Sequence, residues 1–296
     1  MFLQQRARFA YVLILPALVL ITLLNLYPII EGFVVSLQAQ NQMRPNPEAF
    51  VGLKHYVRAL TEQDAFWSSL GRTLVWTAGS VAGAYLLALG LALLLNMDVW
   101  GRGFFRALFL IPWVIPDVCT ALLWKWLYGD EFGVINFLLV KFGLITRPVL
   151  WLSNPDLAMP AVIFVQIWKL YPVMFIVLLA ALQNVPKELF ESATIDGATM
   201  RQRFWYVTLP FIRSASVIIT LLACIWTFQS FDIVYLLTGG GPASATKILP
   251  TLVYEKAFWG LEMGYAAALA MLMLLGLLVF SVAYLFVYRS QSEAAA

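Results

Sequence analysis

The stretch 188-ELFESATIDGAT-199 is the most polar segment in the middle of a very apolar chain. Glu188, Glu191 and Asp196 fall within nine residues, between two runs apolar enough to lie in lipid. An acidic, glycine-broken segment between two such runs marks where the chain leaves the membrane and turns back. Pro186 suits the first turn of a helix, and Lys187 to Ile195 can form a short one. Gly197 can then take a left-handed conformation and end it. A second short helix is expected to carry Arg201, Arg203, Phe204, Trp205 and Tyr206 toward Leu209-Pro210. The predicted product is a two-helix knob at the membrane face over 186–210.

Working outward, the 296 residues are 62% hydrophobic and 12% charged, with a mean hydropathy of +0.83. Soluble proteins carry about 25% charged residues, so the deficit points to lipid as solvent. A helix needs roughly 20 apolar residues to cross the hydrocarbon core. Phe9–Ile30, Leu74–Met97 and Met263–Tyr288 are uncharged over that length. Ala107–Tyr128 holds only Asp117 and Lys125, Leu157–Pro186 only Lys169, and Ser214–Thr238 only Asp232. The fold expected is all-α, with six spans near 9–37, 72–97, 106–128, 157–185, 211–238 and 262–288. The first apolar run exceeds a signal-peptide core and lacks a small-residue cleavage site, so it reads as a retained helix.

Lys and Arg concentrate in the short loops of the side that holds both termini: Arg6, Arg8, Arg102, Arg106, Lys187, Arg201, Arg203, Arg213 and Arg289. By the positive-inside rule that side is cytoplasmic. The opposite loops, 40–72, 129–156 and 239–261, are longer. The first opens with turn signals at Pro45 and Pro47, then spaces Leu53, Tyr56, Val57 and Leu60 as on a surface helix. His55, the only histidine, is expected to be solvated there. Cys119 and Cys224 both fall inside predicted spans and do not suggest a disulfide. The Gly239-Gly240-Gly241-Pro242 turn lacks the Gly-Lys-Ser/Thr of a phosphate loop. A net charge of +3 without a basic block gives nucleic acid nothing to bind.

Ionisable groups inside a membrane are costly and call for a partner or a function. Asp117 and Lys169 lie at similar depth on successive spans, which fits a buried ion pair. They also fit a shared polar cavity. Trp113 and Asp117 are four apart, Gln166 and Lys169 three apart, and Thr227 and Ser230 three apart, so three spans each offer a polar or aromatic pair. Such a mixture supplies hydroxyl partners and a flat ring for the apolar face of a sugar. Trp124, Trp126 and Tyr128 read as an aromatic belt at the membrane interface. Asp232 is either a lining group or a loop-fixing hydrogen-bond partner.

The stretch 188-ELFESATIDGATMRQRFWYVTLP-210 resembles the EAA loop of permease subunits in binding-protein-dependent ABC importers. Glu191-Ser192-Ala193 departs from Glu-Ala-Ala by one small residue, while Asp196-Gly197-Ala198 and Leu209-Pro210 match. The segments 50-FVGLKHYVRAL-60, 104-FFRALFLIPWVIPDV-118, 124-WKWLYGDEFGVIN-136, 230-SFDIVYLLTGGGP-242 and 263-MGYAAALAMLMLL-275 are similar, in order, to landmarks of maltose- and glycerol-3-phosphate-type permeases. The resemblance covers roughly residues 9 to 288 and implies a type I importer permease fold in a bacterial inner membrane. It implies a non-catalytic subunit that pairs with a second homologous permease. Two cytoplasmic ATPases would carry ATP and Mg, and an extracytoplasmic binding protein would deliver a sugar or glycoside. No cofactor is implied for this chain itself. The EAA loop would seat in the ATPase through Leu189, Phe190, Glu191, Ala193, Asp196 and Gly197. The sugar contacts would fall on Trp113, Asp117, Gln166, Lys169, Thr227 and Ser230. A secondary transporter or channel is the alternative, but paired repeats or broken helices around an ion site are not evident in the sequence. A membrane enzyme lacks its His, Cys or carboxylate constellation.

Overall fold

The computed structural model describes residues 14–40, 49–61 and 65–293. Helices dominate: α1 (Ile14–Ser36), α2 (Lys54–Thr61), α3 (Phe66–Asn96), α4 (Arg102–Val114), α5 (Asp117–Leu127), α6 (Val134–Lys141), α7 (Pro155–Gln183) and α8 (Lys187–Ile195). There follow α9 (Met200–Phe228), α10 (Asp232–Thr238), α11 (Leu249–Tyr254, extended by a π turn over Glu255–Trp259) and α12 (Met263–Glu293). Among the described residues the only β pairing is an isolated bridge between Gln38 and Phe50. Among the described residues five helices are long and apolar enough to cross a membrane, and α4 with α5 makes a sixth if the bent pair counts as one span. Arg6, Arg8, Pro45 and Pro47 lie outside the described residues.

The third span is not continuous. α4 and α5 meet at 95° across Ile115-Pro116. Ile115 is extended (φ −68°, ψ 128°), as expected of a residue before proline, and Pro116 has no N–H to give to α4. Trp113 and Asp117 therefore sit on different helices, and their four-residue spacing does not place them on one helical face. The broken helix that the sequence did not disclose is present. The fifth span also ends early, at Phe228, with Asp232–Thr238 a separate short helix. At the expected knob over 186–210 the second helix is not separate: Met200–Arg203 runs through a π turn at Phe204–Thr208 straight into the span.

The described residues form two compact units. One comprises those up to Trp67 together with Leu252–Leu278. In it α1 buries almost no side chain beyond Ser36, whose hydroxyl meets the Tyr56 hydroxyl at 2.6 Å. Arg58 pairs with Glu262 at 2.6 Å and lies 4.2 Å over the Tyr265 ring. His55 is not solvated as expected: its Nε2 is 3.1 Å from the Gln38 carbonyl, and its ring lies beside Tyr265. α2 forms where the Leu53–Leu60 spacing puts it.

The second unit comprises Ser68–Thr251 with the residues from Val279, and it holds both apolar cores. In one, Val81, Ala84, Ala88 and Ala92 of α3 pack with Leu170, Met174, Phe175 and Leu178 of α7 and with Ile212 and Ile219 of α9. The close approach has a simple cause. Gly79 and Gly83 present no side chain, and a Cβ on Gly83 would stand 2.3 Å from the Ile167 Cδ1. This is the small-xxx-small seam that lets membrane helices touch. The other core joins Trp76, Trp124 and Tyr128 to Val162, Val165, Ile233 and Val234. Trp124 and Tyr128 thus belong to the interior rather than to an aromatic belt, with Trp124 edge-on to Phe164 and Trp168 and the Tyr128 hydroxyl donating to the Ala161 carbonyl. Only Trp126 of the three is exposed. Burial on α5 follows its packing against α7 and α10, which the apolar composition alone does not reveal.

Candidate functional site

The break in the third span gathers half of the candidate path. Lys169, in the middle of α7, reaches it with its ammonium group 3.2 Å from Asp117 Oδ1. The same nitrogen donates to the Trp113 carbonyl at 3.3 Å and to the Ile115 carbonyl. The Lys169 side chain is 13% exposed and that of Asp117 49%. Asp117 opens α5, where the helix dipole favours a carboxylate. The Trp113 ring is also exposed. A half-exposed carboxylate and an exposed indole flanking one bend supply a hydrogen-bond acceptor and a stacking face.

One turn before Lys169, Gln166 is buried with its Oε1 unpartnered among the described residues. Thr227 is fully buried, and its Oγ1 is likewise unpartnered. Its carbonyl accepts from the Trp76 indole at 3.0 Å and from the Ser230 N–H at 3.1 Å. Ser230 lies in the non-helical link between α9 and α10. Among the described residues neither Thr227 nor Ser230 hydrogen-bonds to Trp113, Asp117 or Lys169. The structure therefore brings Trp113, Asp117 and Lys169 together and leaves the α9 pair a separate station. Asp232 stands exposed in the first turn of α10.

Beside the loops 129–154 and 239–248, a cavity of about 450 Å³ is lined by Lys125, Tyr128, Asp130, Ser153, Thr238 and Pro242, among others. Asn136 braces the adjoining loop. Buried to 2% exposure, it donates to the carbonyls of Gly129, Asp130 and Val149. Its Oδ1 accepts from the Val149 N–H and the Trp151 indole. Nothing in the spacing of Asn136 announces that role, since its partners are set by the fold of 129–154.

At the knob, α8 carries Leu189, Glu191 and Ile195 exposed, with Phe190 and Ala193 partly buried. Ile195, 86% exposed, is an apolar side chain on this face that the sequence reading missed, though an apolar residue just before Asp-Gly was a visible signal. Asp196 ends the helix and Gly197 turns the chain at φ +74°. The Gly197 and Ala198 N–H groups then donate to the Thr194 and Ala193 carbonyls at 3.0 and 2.9 Å. Thr199 and Gln202 form a reciprocal capping box, and Arg203 donates to the Thr194 hydroxyl at 3.1 Å, tying the α9 start to α8. Glu191 has no hydrogen bond or ion pair among the described residues. The result is a stiff corner with an apolar and acidic outer face. Between this corner and the end of α3 lies a cavity of about 810 Å³, lined by Leu93, Met97, Phe190, Met200, Arg201 and Phe204 among others.

This architecture recurs in known proteins. The chain aligns with the crystal structure of a bacterial ABC transporter involved in the import of the acidic polysaccharide alginate. The TM-score is 0.81 at 24% identity, over 97% of this chain and 96% of that one, which is a likeness of fold. In sequence it is 36% identical over 289 residues to the trehalose/maltose transport system permease protein MalF of Thermococcus litoralis, across 98% of this chain and 96% of that protein. It is 32% identical over 282 residues to the sulfoquinovosyl glycerol transport system permease protein SmoG of Agrobacterium fabrum, across 95% and 91%. The inner membrane ABC transporter permease protein YcjO of Escherichia coli is 35% identical over 267 residues, across 90% and 89%. Residues 84–292, from the middle of α3 through α12, match the family described as the binding-protein-dependent transport system inner membrane component. With its apolar helices, its broken third span and its capped corner, the chain belongs to that family of importer permeases.

Proposed function

We propose that this permease forms half of the translocation pathway of an ATP-driven importer for a sugar or glycoside. The solute passes the break in the third span, and ATP is hydrolysed on separate cytoplasmic subunits. The observation that carries this reading is an exposed Trp113 indole and a half-exposed Asp117 carboxylate on either side of one bend. A ring stacks on the apolar face of a sugar, and a carboxylate makes charge-assisted bonds to hydroxyls. Relatives named for trehalose/maltose and for sulfoquinovosyl glycerol support the substrate class. Gln166, Thr227 and Ser230 are the further lining groups, with Lys169 at the edge of the bend.

A second, homologous permease completes the pathway. A solute-binding protein delivers the sugar to the outer loops, and two ATPases holding ATP and Mg engage Leu189, Phe190, Glu191, Ala193, Asp196 and Gly197. Both termini lie in the cytoplasm with that corner, a placement supported by the density of arginine beside it. The test is uptake of labelled disaccharides by liposomes containing the complete importer. Uptake is expected only with ATP inside and the binding protein outside. Transport driven by an ion gradient with no ATPase present overturns the reading.

A further inference from the structure

The Lys169 ammonium has three N–H donors and no acceptor capacity. Three oxygens surround it: the carbonyls of Trp113 and Ile115, and Asp117 Oδ1. All three come from the five residues that cross the bend in the third span, the first from α4, the second from the non-helical link and the third from the first residue of α5. The side chain is largely buried. Its donors are thus spent within the protein, and a sugar hydroxyl would have to displace one of them.

Proline alone does not explain the bend. α7 contains Pro160 and Pro172 and remains one helix of 29 residues, and Pro112 sits inside α4. A sharp break differs from a proline kink in stranding the last carbonyls of the helix that ends, which membrane interiors tolerate only when another group satisfies them. At Ile115-Pro116 that other group is Lys169. We infer that Lys169 is a positioning residue that holds the third span bent. It caps the end of α4 and anchors the first residue of α5, and it leaves the Trp113 ring and the rest of the Asp117 carboxylate to meet the solute. Its bearing on transport rests on the pathway proposed above, whereas its hold on the bend does not.

The experiment reads the bend directly. Phe104 on α4 and Trp126 on α5 are both well exposed and take spin labels once Cys119 and Cys224 are changed to Ser. At ~1.5 Å rise per residue, the two backbone positions lie about 21 Å apart across the 95° bend and about 33 Å apart along a continuous helix. The measurement uses the complete importer in lipid nanodiscs. Lys169→Arg, which keeps a cationic donor, is expected to retain the short distance. Lys169→Met is expected to broaden the distribution toward the long one and to lower uptake at least tenfold. Asp117→Asn leaves the two carbonyl bonds in place and is expected to keep the short distance. If Lys169→Met does not assemble, Lys169→Gln combined with Asp117→Asn, which strands no charge, is read instead, and a short distance retained there overturns the inference. A short distance retained in Lys169→Met overturns the inference, and lost uptake in that same sample makes Lys169 a solute contact. A lengthened distance with uptake intact leaves the clamp standing and overturns the proposed pathway instead.

Discussion

The indole N–H of Trp76, a residue with no solvent exposure, donates to the Thr227 carbonyl at 3.0 Å. This bond ties the second span to the last turn of the fifth, where helix carbonyls lack partners of their own. The Ser230 N–H reaches the same oxygen, so the carbonyl keeps one donor if the indole is lost. Trp76→Phe is expected to cost about 1 kcal/mol, the net worth of one buried hydrogen bond. Trp76→Ala is expected to cost about 3–5 kcal/mol, because it also empties the core. Thermal unfolding of the purified permease in detergent measures both, and a loss in Trp76→Phe as large as in Trp76→Ala would assign the role to the bond rather than to packing.

A second prediction concerns the seam between α3 and α7. A side chain on Gly83 would meet the Ile167 Cδ1 at 2.3 Å, and one on Gly79 would meet the Ile163 Cδ1 at 3.1 Å. Gly83→Leu overpacks the seam and is expected to cost about 1–3 kcal/mol. The obstacle is the tip of a side chain rather than backbone, so Ile167→Ala should recover part of that loss. A double-mutant cycle reads the coupling. Strictly additive losses would mean that the helices do not meet at this pair.

Asn136→Ala removes the side-chain bonds that tie 129–136 to Val149 and Trp151. The Gly129 and Val149 carbonyls keep backbone donors, but the Asp130 carbonyl, the Val149 N–H and the Trp151 indole would lose their partner, at up to about 1–3 kcal/mol for each group left unsatisfied. The damage is local to the outer loop. Proteolysis within 129–154 is expected to accelerate while assembly with the ATPases is unchanged. Cleavage at the wild-type rate would show the loop to be braced by other contacts.

The spans were readable because uncharged runs of more than 20 residues leave a helix little choice in lipid. The turn at Asp196-Gly197 was readable because a left-handed position selects glycine. The break at Ile115-Pro116 was not. Pro112, Pro116, Pro160 and Pro172 look alike in the sequence, yet only Pro116 marks a 95° change of direction. What singles it out is an ammonium group supplied from position 169, more than fifty residues on, which no local pattern contains. The same reason hid the burial of Trp124 and Tyr128, since aromatic residues near a span's end suit an interface equally well until α7 and α10 pack over them. The Asp117–Lys169 pair was legible from charge and depth. The additional carbonyl contacts of Lys169 were not.

Gly197 tests the corner proposed to engage the ATPases. At φ +74° an L side chain is strained, and no heavy atom lies within 4 Å of where its Cβ would stand. The penalty is therefore one of backbone conformation, about 1–2 kcal/mol, and not of a clash. Gly197→Val is expected to insert and fold but to loosen the corner held by the Thr194–Arg203 bond, and to reduce sugar-stimulated ATPase activity severalfold. Gly197→Asn, which tolerates the left-handed region better, should fall between valine and glycine. Equal activity in all three would separate the turn from coupling.

The last prediction addresses Asp117 and Trp113 as solute contacts. Asp117→Asn keeps the size of the side chain and, because the Lys169 carbonyl bonds remain, should assemble at normal yield. An amide cannot reproduce charge-assisted bonds to hydroxyls, which are roughly twice as strong as neutral ones. Uptake should fall about tenfold or more, while basal ATPase activity without sugar stays near the wild-type level. Trp113→Ala removes the stacking face and should also impair uptake, whereas Trp113→Phe keeps a ring and should preserve most of it. If the carboxylate served only to neutralise Lys169, Asp117→Asn combined with Lys169→Gln would recover transport, since no unpaired charge remains. If it meets the sugar, the double variant stays inactive. Full recovery in the double variant therefore removes Asp117 from the pathway and the clamp from Lys169, whereas loss of uptake in Asp117→Asn alone, with normal assembly and an unchanged bend, keeps Asp117 there.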